Sequence, residues 1–333
     1  MNPNQFTRPT RALGLCSGGL DSILSALVLK DQGIDVTWVS FETPFFDSGS
    51  AQKAADQTGI SLIRKDITPV YMEMMRAPQM GFGKNMNPCM DCHTLMFSQA
   101  ARIMEKQGFD FLFSGEVMGQ RPKSQTKNAL RYVEKNSGAA GYIVRPLSAR
   151  LLPITRAEQE GLVDRDRLLD ISGRSRKIQM ALAESFGITD YPAPAGGCLL
   201  TDKGFSQRLR DLLYVQKTQD PAQLYLLKSG RHFRLDAGCK LVVGRNQVDN
   251  GQLLAHFNPK THIRLRHAQL PGPEALLFGS IQETHILEAA RITAGYTKAK
   301  PGADSLVSVF QDNTIRKVCV TTPKTETYKD KII

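Results

Sequence analysis

Apolar residues run almost unbroken through 11–16 (RALGLC), as in a short strand buried on both faces. Residues 23–33 (ILSALVLKDQG) then place apolar side chains at helical spacing and end on Gly33, a helix stop. The same reading predicts strands over 34–42, 60–67 and 109–117, and helices over 51–58 and 93–107. Strand and helix alternate, which predicts βαβ units and a parallel sheet covered by helices. Residues 150–190 are charged with helical spacing, and TRAEQEGL reads as a capped helix start. A Pro/Gly-rich stretch at 191–202 breaks the pattern, and after it 232–246, 262–268 and 304–311 show short β-like alternation. We therefore expect an α/β domain over 1–202 and a smaller α+β domain over 203–333. The end, TTPKTETYKDKII, is expected to be a poorly ordered tail or an edge element.

The 333 residues suit two domains, and 41% hydrophobic with 23% charged residues suits a globular chain. No run reaches the ~18 apolar residues of a membrane span, and the opening lacks the apolar core of a signal peptide. Membrane, secreted and disordered classes are thus set aside, and a cytoplasmic chain without a membrane partner is expected. The net charge of +11 is uneven, with +3 over 1–200 and +8 over 201–333. A basic second half points to a polyanionic partner, most simply nucleic acid. Six cysteines in a reduced compartment raise the question of metal, cluster or catalysis rather than disulfides.

Between the first strand and helix stands Ser17-Gly18-Gly19-Leu20-Asp21-Ser22. Glycines admit an oxyanion to the backbone, and free N–H groups at a helix start, with two hydroxyls, can cradle a phosphate. Asp21 is odd in a pure anion site and points to a magnesium ion or a stabilised turn. The string resembles the PP-loop of N-type ATP pyrophosphatases and differs from the G-x-x-x-x-G-K-[ST] loop. That resemblance implies an adenine nucleotide alpha hydrolase-like fold. It also implies transfer of AMP from ATP to a substrate carbonyl oxygen, loss of pyrophosphate and displacement of AMP by a nucleophile. Ser17, Gly18, Gly19, Asp21 and Ser22 would then bind ATP.

Cys89 and Cys92 form a CxxC, a spacing shared by zinc, redox and cluster sites. Cys198 follows two glycines, a setting that suits a reactive or ligating thiolate. Three readings stand: a 4Fe–4S cluster on Cys89, Cys92 and Cys198 with one open iron, persulfide chemistry, or zinc held by the CxxC. His93 is read as a structural neighbour. NPCMDCH resembles the NPCxxC segment of bacterial tRNA 2-thiouridylases, with Cys198 in the place of their second reactive cysteine. Residues 115–126 (GEVMGQRPKSQT) resemble a segment of tRNA 4-thiouridine synthetases. By that resemblance Gly115, Gln120, Ser124 and Gln125 would lie near the nucleotide or the adenylated base. Arg121 and Lys123 would neutralise phosphate or grip RNA. Phe45 reads as a loop hydrophobe. Residues 170–188 match neither group.

In the second half, residues 232–254 resemble the RNA-binding module of NFACT proteins around Lys240-Leu241-Val242-Val243-Gly244-Arg245-Asn246. Alternation would place several of Arg231, Arg234, Lys240 and Arg245 on one face, with Arg264 and Arg266 a second basic ladder. The scarcity of aromatics points to structured RNA read by shape. The expected function is that of an ATP-dependent tRNA sulfurtransferase using ATP, Mg2+, a 4Fe–4S cluster and sulfide or desulfurase-derived sulfur. Its rivals are a persulfide thiolase, a PP-loop enzyme amidating a small molecule, and a non-catalytic RNA-binding protein.

Overall fold

The computed structural model describes residues 8–193, 198–218, 221–312 and 314–333. The chain divides into two units, Met1–Cys198 and Leu199–Ile333.

The first unit runs β1 (Arg11–Leu15), α1 (Leu20–Asp31), β2 (Asp35–Glu42), α2 (Gly49–Thr58), β3 (Ser61–Asp66), α3 (Thr68–Arg76), α4 (Cys89–Gln107), β4 (Phe111–Ser114), α5 (Lys127–Asn136), β5 (Ile143–Val144), α6 (Arg156–Gln159) and α7 (Lys177–Ser185). Its five strands are parallel, in the order β3-β2-β1-β4-β5. Leu13, Trp38, Phe111, Leu112 and Phe113 are fully buried, which is why these strands read as continuous apolar runs. The chain leaves β1 for β2 on one side and later returns to β4 on the other. The carboxyl end of β1 is therefore a switch point, where connections diverge and leave a crevice for a ligand. β4 is shorter than its apolar run predicts, because the chain turns away from the sheet at Gly115. The helix expected at 155–162 is a single turn, α6, held by a reciprocal Thr155–Glu158 capping box.

The second unit continues with α8 (Lys203–Arg210), which runs on into a wider turn over Asp211–Gln216. There follow α9 (Pro221–Leu226), β6 (Arg231–Arg234), β7 (Cys239–Val243), α10 (Gln247–Ala255), β8 (Ile263–His267), β9 (Ala275–Gly279), α11 (Glu283–Gly295), β10 (Asp304–Gln311) and β11 (Thr314–Thr321). The sheet is antiparallel, in the order β11-β10-β8-β9-β7-β6. α11 packs across one face, over Leu241, Leu265, Leu277 and Val307. On the opposite face Val242, Leu276 and Phe278 are covered by Leu226 and Leu253 from α9 and α10. The C-terminal segment proves to be an edge element. Its last amide, of Ile333, donates to the His232 carbonyl at 3.0 Å, beside a Phe233–Ile332 bridge.

Candidate active site

The turn after β1 is held by its own side chains. Ser17 Oγ and Ser22 Oγ lie 3.1 Å apart, and the Gly19 amide donates to Ser17 Oγ at 3.4 Å. Gly18 has φ of +73°, and a Cβ there would lie 2.2 Å from the Ser50 carbonyl carbon. Only glycine lets the loop lie this close to the start of α2. The Gly18 amide donates to Cys16 Sγ at 3.3 Å, and burial pushes the Cys16 thiol up to about 12. Cys16 is thus a neutral packing residue.

Asp21 Oδ2 accepts from Gln120 Nε2 at 3.1 Å, while Oδ1 is buried with no hydrogen-bond partner among the described residues. Burial raises the Asp21 carboxyl, opposed by Gln120 and by the charges of Arg176 and Arg121. Gln179 on α7 is fully buried beside Asp21 and eases its charge, although its amide makes no hydrogen bond of good geometry with the described residues. Arg176 Nε and Gln125 Oε1 are likewise buried without such partners. Native interiors rarely leave such groups unsatisfied, and those beside Asp21 fit a place where a polar ligand completes the bonding. An orphaned carboxylate oxygen beside a glycine-rich turn fits a divalent cation, and the turn's amides and hydroxyls fit phosphate oxygens.

Gly115 ends β4 against this loop, since a Cβ there would lie 2.4 Å from the Asp21 carbonyl carbon. Glu116 follows and joins the nucleotide loop to the cysteine segment. Its Oε1 pairs with His93 Nδ1 at 3.0 Å, and its Oε2 pairs with the buried Arg145 Nε at 3.0 Å. Burial works to raise Glu116, but Arg145 and His93 overcome it and hold the carboxyl at about 2. The turn from 118 to 126 is closed by Gly119 N to Gln125 O at 2.7 Å. It buries Ser124 and Gln125 and leaves Arg121 and Lys123 exposed.

Cys89 and Cys92 lie on the first turn of α4. Asp91 fixes that turn by accepting from the amides of Gln79 and Met80, each at 3.0 Å. The Tyr71 hydroxyl donates to Cys92 Sγ at 3.6 Å, and Phe45 and Phe46 pack their rings on Tyr71 at 5.6 and 5.4 Å. Burial pushes the Cys92 thiol up to about 12, despite the Tyr71 hydrogen bond, and the nearby Cys198 and Cys89 push the same way. All three thiols also bear on Tyr71. The fold thus gathers Cys89, Cys92 and Cys198 into one neighbourhood, with Cys198 exposed. Gly196 and Gly197 lie outside the described residues. The donor set is of the kind an iron–sulfur cluster takes. Among the described residues, however, no three His, Cys, Asp or Glu side chains are disposed as ligands of one metal ion.

Sequence reasoning missed Tyr71, Arg145, Arg176 and Gln179. None sits in a motif, and the one available signal was the pair of arginines in the unmatched 170–188 segment.

The second-unit candidates separate on inspection. Arg234 Nε pairs with Asp211 at 2.9 Å, and Lys240 Nζ lies 3.6 Å from the same carboxylate. Lys240 is 1% exposed, and burial lowers its ammonium to about 8 although Asp211 opposes the shift. Arg245 pairs with Asp249 at 2.6 Å and Arg264 with Glu274 at 2.7 Å. Arg231 stacks on Tyr296 at 4.6 Å. The expected single basic face over β6 and β7 is therefore corrected. β7 is an inner strand covered on both sides, so Lys240 is a buried counter-charge rather than a phosphate contact.

Residues 8–150 match the family described as thiamine biosynthesis protein (ThiI). That match takes in the Ser17–Ser22 turn and the Cys89–Cys92 segment. Residues 230–331 match the NFACT protein RNA binding domain. Among curated relatives, the tRNA-specific 2-thiouridylase MnmA of Sulfurimonas denitrificans is 33% identical over 112 residues, covering 31% of this chain and 33% of that protein. The MnmA of Thermus thermophilus is 27% identical over 133 residues, covering 32% and 36%. The chain thus spans about a third of the length of these relatives. A solved predicted subunit of tRNA methyltransferase from Methanocaldococcus jannaschii aligns with a TM-score of 0.32 at 19% identity, over 41% of this chain and 69% of that one. No helix among the described residues is long and apolar enough to cross a membrane.

Proposed function

We propose that this chain is an ATP-dependent tRNA sulfurtransferase of the cytoplasm. One observation carries the reading: Cys89, Cys92 and Cys198, from segments about 100 residues apart, lie in the neighbourhood of Tyr71 on the unit that also bears the Ser17–Ser22 loop. His93–Glu116 and Gly115–Asp21 are the links between the two sets.

In this reading the backbone amides and hydroxyls of residues 17–22 hold the ATP phosphates, and Asp21 Oδ1 takes Mg2+. Gln120 fixes the Asp21 carboxylate, and Arg176 offsets phosphate charge where a P-loop would use lysine. A uridine carbonyl oxygen attacks the α-phosphorus of ATP and pyrophosphate leaves. A sulfur nucleophile then adds to the activated carbon, and AMP departs with the original oxygen. Residues 1–202 carry this chemistry, and residues 203–333 hold the tRNA. Cys89, Cys92 and Cys198 would hold a 4Fe–4S cluster, which when bound supplies an iron with an open position for sulfide. The absence of a ready-made ligand arrangement among the described residues favours a second reading, in which one cysteine carries sulfur as a persulfide and a disulfide between two cysteines follows sulfur transfer.

The test is mass spectrometry of tRNA nucleosides from a deletion strain, with iron and acid-labile sulfide measured on the protein purified without oxygen. Loss of one thiouridine supports the function, and a full nucleoside set refutes it. Iron that disappears in Cys198→Ala supports the cluster, whereas turnover without iron on a persulfide donor selects the second reading.

A further inference from the structure

The second unit leaves one part of its sheet uncovered. Residues two apart along a strand share a face. Pairing sets Phe310 between Arg264 and Ile315, and Ser308 between Arg266 and Lys317. Five of these six side chains reach the surface across β8, β10 and β11, with the buried Ser308 between Arg266 and Lys317. Arg266 and Lys317 are exposed and make no ion pair among the described residues, although most cations of this unit first proposed for RNA have a carboxylate partner. The guanidinium carbons of Arg264 and Arg266 lie 4.5 and 5.8 Å from the Phe310 ring centroid. Ile315, next to that ring, is 65% exposed.

We propose that this face binds single-stranded RNA, with Phe310 and the guanidinium planes stacking unpaired bases and Arg266 and Lys317 holding the flanking phosphates. The inference rests on the RNA reading of the second unit and specifies where and in what form the RNA is held. A duplex recognised by shape offers phosphates and sugar hydroxyls, and has no use for a half-buried aromatic ring beside an exposed aliphatic side chain between cations. A single strand offers a π-face at every base, and a cationic groove with an aromatic platform is the usual answer to it.

The full chain is titrated by fluorescence anisotropy with a labelled 12-nucleotide single-stranded RNA and with a 12-base-pair RNA duplex, across a salt series. The expected result is tighter binding of the single strand, with about a 5- to 150-fold loss in Phe310→Ala. Phe310→Leu, which keeps the packing but removes the ring, should show the loss in a protein of wild-type melting temperature. Arg266→Ala and Lys317→Ala should each reduce the log–log salt slope by about 0.7. Equal binding of both probes with no effect of Phe310→Leu would overturn the stacking face. Failure of the wild type to bind either probe would instead overturn the RNA reading itself.

Discussion

Asp21 and Glu116 show how two carboxylates a few ångströms of backbone apart are set to different tasks. Asp21 is held by one amide and keeps an oxygen in reserve, so Asp21→Asn should abolish ATP–pyrophosphate exchange while leaving the melting temperature close to wild type. Unchanged exchange would remove Asp21 from the nucleotide site. Glu116 is held by a buried arginine and a histidine, and its role is to fix the cysteine helix against β4. Its folded-state carboxyl, at about 2, lies below its ordinary value of 4.5. The associated stability is complete above about pH 4.5 and lost as pH falls through about 2, on the order of 3 kcal/mol in all. Glu116→Gln leaves Arg145 buried without a full counter-charge and should destabilise the fold by roughly 3 kcal/mol at pH 7. Denaturant melts at pH 7 and pH 3 check this, since the variant should lose less between them than the wild type.

At the level of elements, the sequence was most legible where burial is simplest. The apolar runs of β1 to β4 and the helical spacing of α1, α2 and α4 translate directly into structure, because a parallel strand covered on both faces has no polar positions to confuse the pattern. β9 and β11 were not foreseen. β11 (TIRKVCVT) carries two consecutive cations and is largely exposed, which resembles a solvated loop when read alone. Arg176 and Gln179 were hidden for a different reason: what matters about them is their place beside Asp21 with buried polar atoms left unbonded, and only the fold reveals that. The basic ladder on β6 and β7 was misjudged because alternation predicts which residues share a face but not whether the face is covered. Lys240 gives a sharp check. Its ammonium, at about 8 in the fold against 10.5 ordinarily, sheds its proton before the unfolded chain does. Stability from this group therefore rises as pH climbs from about 8 to 10.5. Lys240→Met leaves Asp211 paired with Arg234 and should melt higher than wild type at pH 7, with the difference shrinking by pH 10.

For the whole molecule, charge and chemistry are divided between the two units. The first unit is nearly neutral and holds Cys89, Cys92, Cys198 and the Ser17–Ser22 loop, whereas residues 201–333 carry +8. A chain ending near residue 205 should keep ATP binding and lose most of its tRNA affinity. In the full chain that affinity should fall steeply with salt, by about 0.7 to 0.9 in the log–log slope for each phosphate contact. Filter binding of both chains over a salt series decides this, and equal affinity would move the RNA contact to the first unit.

The strand β11 lies at the rim of the second sheet and, among the described strands, pairs only with β10. An eight-residue rim strand with open hydrogen-bonding groups is a template on which another copy can build, the route by which β proteins aggregate. Arg316 and Lys317 follow one another on this rim and point to opposite faces; Arg316 is neutralised by Glu283 at 2.6 Å, and Lys317 has no such partner among the described residues. It follows that Lys317 also protects the chain from self-association, through charge repulsion between approaching rims. Removing that charge to weaken RNA binding therefore carries a solubility cost, visible as concentration-dependent light scattering before any change in the fold.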